Sequence, residues 1–267
     1  MKYRFSARTD CGRVRANNED AVTAMPEIGL ALLADGMGGY NAGEVASSMA
    51  MVLIQESLAR WFTQTGQMPE AANLRQALAD SVQQANLAIL NASLLQARYA
   101  GMGTTLVAGI FQQDRLVLGH MGDSRCYRLR GGRLEQITRD HSWRQEQIDA
   151  GTMTPEQAAQ SPHRNLVTRA LGVDAETPLE INEFSVEPQD LYLFCSDGLT
   201  DMVEDQELLA LAAAPLPLAD KATLMVDTAN AQGGHDNISV LLVQADAIMG
   251  ANSRKHGLMS RWLGWPA

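Results

Sequence analysis

The chain has 267 residues, 46% of them hydrophobic, which suffices for one large domain with a real core or two small ones. Its formal net charge of -10 excludes a nucleic-acid groove as the main business, because phosphate backbones are held by clustered Lys and Arg; bound divalent cations can still recruit phosphorylated groups locally. No apolar run reaches the length of a membrane span, the N-terminal segment lacks a secretory apolar region, and Cys11, Cys126 and Cys195 are too scattered for a disulfide framework or zinc knuckle, so a cytoplasmic location is expected.

In chain order, YRFSA (3–7) alternates as a short strand, and the polar loop GRVRANNED (12–20) separates it from a second strand-like piece at 21–24. Alone, that loop reads first as an exposed turn rich in Asn and Asp, and second as a site loop presenting an arginine and two acids. LALLADGMGG (30–39) is a buried strand that delivers Asp35 to a sheet edge. A lone buried carboxylate is costly, so Asp35 should be paired or metal-bound; a glycine-rich turn in which it satisfies local amides fits this single motif equally well. Val45, Met49, Val52, Leu53 and Trp61, then Leu74, Leu78, Ala85, Ile89 and Leu95, recur at helical spacing. With Gly66 and Pro69 between them, two helices returning as an antiparallel pair over a sheet are predicted.

Strands are predicted over 104–110 and 115–121, followed by a hairpin, CYRLR and RLEQI, joined by Gly131-Gly132 in a primed turn; consecutive hairpins imply antiparallel sheet. Asp123, in MGDSR, again places an acid at a strand edge. Residues 140–174 read as a long inserted flap with helical pieces at 142–150 and 155–160 and a basic cluster of His163, Arg164 and Arg169, the pattern of a lid or mobile segment. His141 could serve in acid-base chemistry, but a helix-start contact beside Asp140 is the preferred reading. Strands return at 179–184 and 191–195, the second ending in SDGLT with Asp197; helices at 205–213 and 218–232 follow, and GGHDN with Asp236 introduces the last strand, 238–244. In the tail, 246–267, Arg254, Lys255 and Arg261 lie beside Leu258, Trp262, Leu263 and Trp265, a loosely docked extension or, secondarily, a docking helix for a membrane surface or a protein.

Asp20, Asp35, Asp123, Asp197 and Asp236 each lie at a strand end or in a glycine-flanked loop. If they converge, they repel one another unless cations intervene, and an all-oxygen set without a His/Cys pattern favours Mg or Mn over zinc. Two such ions bridged by a water would prepare it for in-line attack on phosphorus. The cysteine route to the same reaction fails, since the sixth residues after Cys11, Cys126 and Cys195 are Asn17, Gly132 and Asp201 rather than Arg. Neither a G-x-S-x-G elbow nor a P-loop is present.

The ordered set RANNED (15–20), DGMGG (35–39), GTT (103–105), GDSR (122–125), SDGLT (196–200) and GHDNIS (234–239) resembles the metal-dependent protein phosphatases of the PP2C type in their bacterial form. The resemblance implies an α+β fold, a four-layer α/β/β/α sandwich of two central antiparallel sheets flanked by antiparallel helix pairs, over residues 1–245 with a flap at about 141–174 and a short C-terminal extension, 246–267. It also implies hydrolysis of phosphoserine and phosphothreonine in proteins by a binuclear Mn2+ or Mg2+ centre. Carried over by motif, Asp35 bridges two ions, the Gly36 carbonyl binds one, and Asp197 and Asp236 bind the other. Asp20 holds metal-bound waters, Asp123 with Asp197 forms a third, weaker site, Arg15 binds the substrate phosphate, and the 141–174 flap gates the substrate. Adjacency adds the expectation that Asn237 steadies the Asp236 loop. Some eukaryotic relatives carry a histidine, proposed as general acid, where this chain has Met37, so leaving-group protonation must come from elsewhere. Implied partners are phosphorylated proteins, including a cognate Ser/Thr kinase and its substrates, with no nucleic acid, no membrane span and a monomeric chain. The alternatives left open are a catalytically silent phosphoprotein-binding regulator on the same fold and another two-metal phosphohydrolase.

Overall fold

The computed structural model describes residues 1–39, 42–65, 69–163 and 166–247; the tail expected at 246–267 lies outside the described residues from 248 onward, as do Gly66 and Arg164. Two antiparallel sheets form the centre. The first runs in the order β1 (Lys2–Asp10), β11 (Ile238–Asp246), β10 (Leu191–Cys195), β7 (Arg125–Arg130), β8 (Arg133–Gln136). The second runs β2 (Asp20–Met25), β3 (Leu30–Met37), β5 (Leu106–Gln112), β6 (Arg115–Met121), β9 (Glu180–Ser185), with the two-residue β4 (Gly103–Thr104) also on β3.

The apolar run of β3 has no polar alternation because both faces of its sheet are covered. Leu30, Leu32 and Ala34 pack against helices α1 (Ala42–Thr65) and α2 (Ala71–Leu95), meeting Ala50, Ile54, Leu78 and Ile89. Ala31 and Leu33 point the other way, between the sheets, with Phe111, Tyr192, Phe194 and Leu241. β11 repeats the arrangement in the first sheet: Leu241 and Val243 face the inter-sheet core, while Val240 and Leu242 face α6 (Asp205–Ala213) and α7 (Leu218–Ala231) through Leu208, Met225 and Val226. Three cores between four layers result, as the resemblance implied. The β7–β8 turn is the expected one, with φ of 56° at Gly131 and 79° at Gly132.

The strand predicted over 104–110 is instead two, broken at Thr105. The break has a reason. Thr105 turns its N–H to the Asp35 carbonyl (2.9 Å) and accepts the Asp35 N–H on its hydroxyl (3.0 Å), so side chain and backbone together grip the acid-bearing strand. The flap contains α3 (Trp143–Asp149), capped by Ser142, and α4 (Pro155–Ala159), opened by a capping box on Thr154. Its return segment is tied down twice, by a bridge between Ser142 and Val167 and by reciprocal bonds between Thr104 and Leu171 (3.1 and 2.9 Å). Buried Asn86 on α2 adds two more bonds, accepting from Gly172 N (2.7 Å) and donating to the Asp174 carbonyl (2.8 Å).

Candidate metal centre

The sandwich brings all five predicted aspartates to one end. Asp20 and Asp35 are direct cross-strand partners in the β2–β3 register, an arrangement that is unfavourable for two like charges. Asp123 sits in the β6–β7 turn, Asp197 opens the short helix α5 (Asp197–Thr200) at the end of β10, and Asp236 lies in the loop entering β11. Close backbone packing explains the glycines beside them. A Cβ on Gly198 would collide with the Asn237 carbonyl and one on Gly36 with the Gly43 carbonyl, while Gly122, at φ 106°, lies against the Thr105 side chain.

All five carboxylates are half-buried. Asp35, Asp123, Asp197 and Asp236 open on a cavity of about 230 Å3 that Arg15, Glu19, Met37 and Val167 of the flap also line. Burial, then the charges of its neighbours Asp20 and Asp197, holds Asp35 well above the usual carboxylate range. Burial followed by Asp123 does the same to Asp197. Asp20 and Asp123 are each pushed up to about 6, first by burial and, for Asp123, next by the charge of Asp140. One Asp20 oxygen accepts from the Ser196 hydroxyl at 2.8 Å; its other, Oδ1, is buried with no hydrogen-bond partner. An orphaned buried carboxylate oxygen beside mutually repelling aspartates fits a site for hard cations with oxygen ligands. Among the described lining residues Arg15 is the one cation, held to Asp236 at 2.6 Å. A larger cleft of about 770 Å3 along α1 and α2 has Asp80 as its one described lining carboxylate, so size does not mark the chemistry.

The predicted residues Arg15, Asp35, Gly36, Asp123, Asp197 and Asp236 therefore share one cavity, and Asp20 stands beside Asp35 across the β2–β3 pair. Asn237 does more than steady its neighbour. Its amide donates to the carbonyls of Cys11 (3.0 Å) and Asn17 (2.8 Å) and accepts the Glu19 N–H (2.8 Å), binding the RANNED loop to the start of β11. Glu19, the other acid of the polar loop, lines the cavity with a pKa raised by burial, and its carbonyl accepts Gly36 N–H and the Ser47 hydroxyl. Thr105, Ser124 and Ser196 are hydroxyl-bearing members of GTT, GDSR and SDGLT. The first two meet hydroxyl to hydroxyl at 2.8 Å, and the third supports Asp20.

His141 differs from expectation. The helix-start contact belongs to Ser142, whose hydroxyl accepts Gln145 N–H, while Asp140 receives Arg125 through three bonds of 2.7 to 3.1 Å. Lying one residue ahead of the cap, His141 turns inward to stack on His120 and meet Glu180. Sequence spacing showed no such histidine cluster because β6–β9 pairing sets His120 opposite Glu180 and the bonds of His141 to Gly122 bring the third member to them.

Comparison with known proteins agrees with this architecture. The profile of the protein phosphatase 2C family matches residues 9–242. The serine/threonine phosphatase stp of Listeria monocytogenes is 37% identical over 242 residues, 90% of this chain and 94% of that one. The crystal structure of the Mycobacterium tuberculosis serine/threonine phosphatase PstP superposes with a TM-score of 0.83 at 38% identity, covering 92% of this chain and 100% of that one. The catalytic domain of PstP in complex with two manganese ions gives 0.81 at 38% identity, covering 92% and 99%. By its motifs, its fold and these relatives, the chain belongs to the protein phosphatase 2C family.

Proposed function

We propose that the chain is a metal-dependent phosphatase that hydrolyses phosphoserine and phosphothreonine in proteins, opposing a bacterial Ser/Thr kinase, and that it works in the cytoplasm as a monomer. The observation that carries this reading is the convergence of four aspartates on one cavity with Asp20, its Oδ1 unpartnered, beside Asp35. The name and the two manganese ions of the PstP structure support it. Asp35 would bridge two Mn2+ or Mg2+ ions, with the Gly36 carbonyl on one and Asp197 and Asp236 on the other; Asp123 with Asp197 would hold a third, weaker one. When bound, the ions supply Lewis acidity and an activated water for in-line attack on phosphorus. The chain's own groups do the rest. Asp20 would orient water around the ions, and Arg15, which lines the cavity wall and whose planar fork suits a phosphate, would receive the phosphoryl oxygens, exchanging its contact with Asp236. Val167 brings the flap to the cavity wall, where a bound phosphoprotein would pass.

The domain carrying this activity is proposed to span 1–245, with the flap at 141–174 and an extension at 246–267. A silent phosphoprotein binder on the same fold would have no use for carboxylates that repel one another. An acidic chain is also a poor fit to nucleic-acid phosphoesters. Phosphate release from a phosphothreonine peptide is expected with Mn2+ and not with EDTA or in Asp35→Asn; equal release in all three arms would contradict the metal mechanism.

A further inference from the structure

Beyond the aspartate cavity, one cluster of ligating side chains remains unexplained. Among the described residues, His120, His141 and Glu180 form the trio whose ligating atoms all lie within 4.8 Å of one another. His120 and Glu180 face each other across β6 and β9, and both rings are buried. A metal site is the first thought, but three features oppose it. The rings stack at 4.3 Å with 20° between their planes, which keeps their lone pairs in near-parallel planes rather than converging on one point. Hydrogen bonds already occupy His120 Nε2, on the Arg139 carbonyl at 2.7 Å, and His141 Nδ1. The Arg169 guanidinium, finally, opposes positive charge at both rings.

The hydrogen bonds give the cluster a direction. Burial lowers the pKa of both imidazoles, so each ring is neutral at pH 7 with a single N–H. Gly122 N–H can only donate, so His141 Nδ1, 3.2 Å away, must be the bare nitrogen. The proton then sits on Nε2 and points to Glu180 Oε2, also at 3.2 Å. The His141 backbone N–H meanwhile donates to the Gly122 carbonyl at 2.8 Å, and the His141 carbonyl accepts Thr168 N–H from the returning flap at 2.9 Å. One residue thus grips both polar atoms of Gly122, the residue preceding Asp123, and holds the flap with its remaining backbone group.

We propose that His141 is a positioning residue: with its tautomer fixed by Glu180 and its ring seated on His120, it sets Asp123 in the cavity and couples that carboxylate to the flap. This rests on the reading of Asp123 as ligand of the third, weaker ion. Partners of this kind, one step removed from the ligand, change metal affinity by about 10- to 100-fold when lost.

The test compares the full chain with His141→Leu, which removes the acceptor for Gly122, His141→Asn, whose Oδ1 can replace Nδ1, and Asp123→Ala. Mn2+ binding is followed by isothermal titration, with folding checked by circular dichroism. The expected result is that His141→Leu weakens the weakest class of Mn2+ sites by about 10-fold or more while leaving the tighter classes unchanged, and that His141→Asn recovers to within about threefold. The Mn2+ concentration for half-maximal turnover should rise in parallel, with KM for the phosphopeptide little changed. A folded His141→Leu with the wild-type isotherm, or a His141→Asn no better than His141→Leu, overturns the proposal. An Asp123→Ala isotherm identical to wild type overturns the third-ion reading itself and the proposal with it. Should His141→Leu not fold, Glu180→Leu carries the test: a selective loss of about threefold or more in the weakest class is expected from the freed tautomer, and an unchanged isotherm overturns the proposal.

Discussion

Met37 lines the cavity with a thioether that has no proton to give, so the leaving-group proton must reach the substrate by another path. If the third site steers it, Asp123→Ala should lower kcat by about 10-fold or more and shift the Mn2+ dependence, while an unchanged profile would remove that idea. Two residues near it act through shape and hydrogen bonding. Asn237 is buried and serves three backbone groups, so Asn237→Ala removes three bonds at once and should cost about 2 to 4 kcal/mol in urea unfolding. Gly122→Ala places a Cβ 2.6 Å from Thr105 Cγ2 at a φ of 106°, so a loss of about 2 kcal/mol with reduced Mn2+ affinity is expected.

At the level of elements, the pairing of Asp20 with Asp35 across β2 and β3 makes the metal-free sheet edge sensitive to pH. Folding raises Asp20 and Asp123 from ordinary carboxylate values to about 6, so the folded chain keeps protons that the unfolded chain releases. The native state therefore binds more protons between about pH 4 and 6, and stability falls as pH rises through that window. In EDTA the melting temperature should be higher at pH 5 than at pH 7.5, and saturating Mn2+ should reduce the difference; a metal-free melting temperature that rises over the same interval would contradict the electrostatic picture. The elements themselves were largely legible from periodicity and turn residues. β3 and β11 stand out because both their faces are covered, and Gly131-Gly132 announces its hairpin through two positive φ angles. The break at Thr105 was not legible, because its cause is a contact with Asp35, 70 positions earlier in the chain.

For the whole molecule, the same distinction separates what composition and motif reveal from what only folding does. The aspartates could be found because each lies at a strand end or in a glycine-flanked loop, a local pattern with a physical reason. The loop carrying Glu19 could not be told from an exposed turn by itself, since its place at the cavity is set by Asn237, 218 positions away, and the stacking of His120 on His141 gave no local signal. The fold holds several acids together at a cost to its own stability, and cations recover that cost only when bound. Thermal unfolding of the wild type and Asp35→Asn, each with EDTA and with Mn2+, tests this most directly. The expected result is that Asp35→Asn melts no lower than wild type in EDTA, because a buried charge has gone, while Mn2+ at about a hundredfold over its Kd raises the wild type by about 5 °C and the variant by far less. The contradicting result is an equal Mn2+ shift in both proteins.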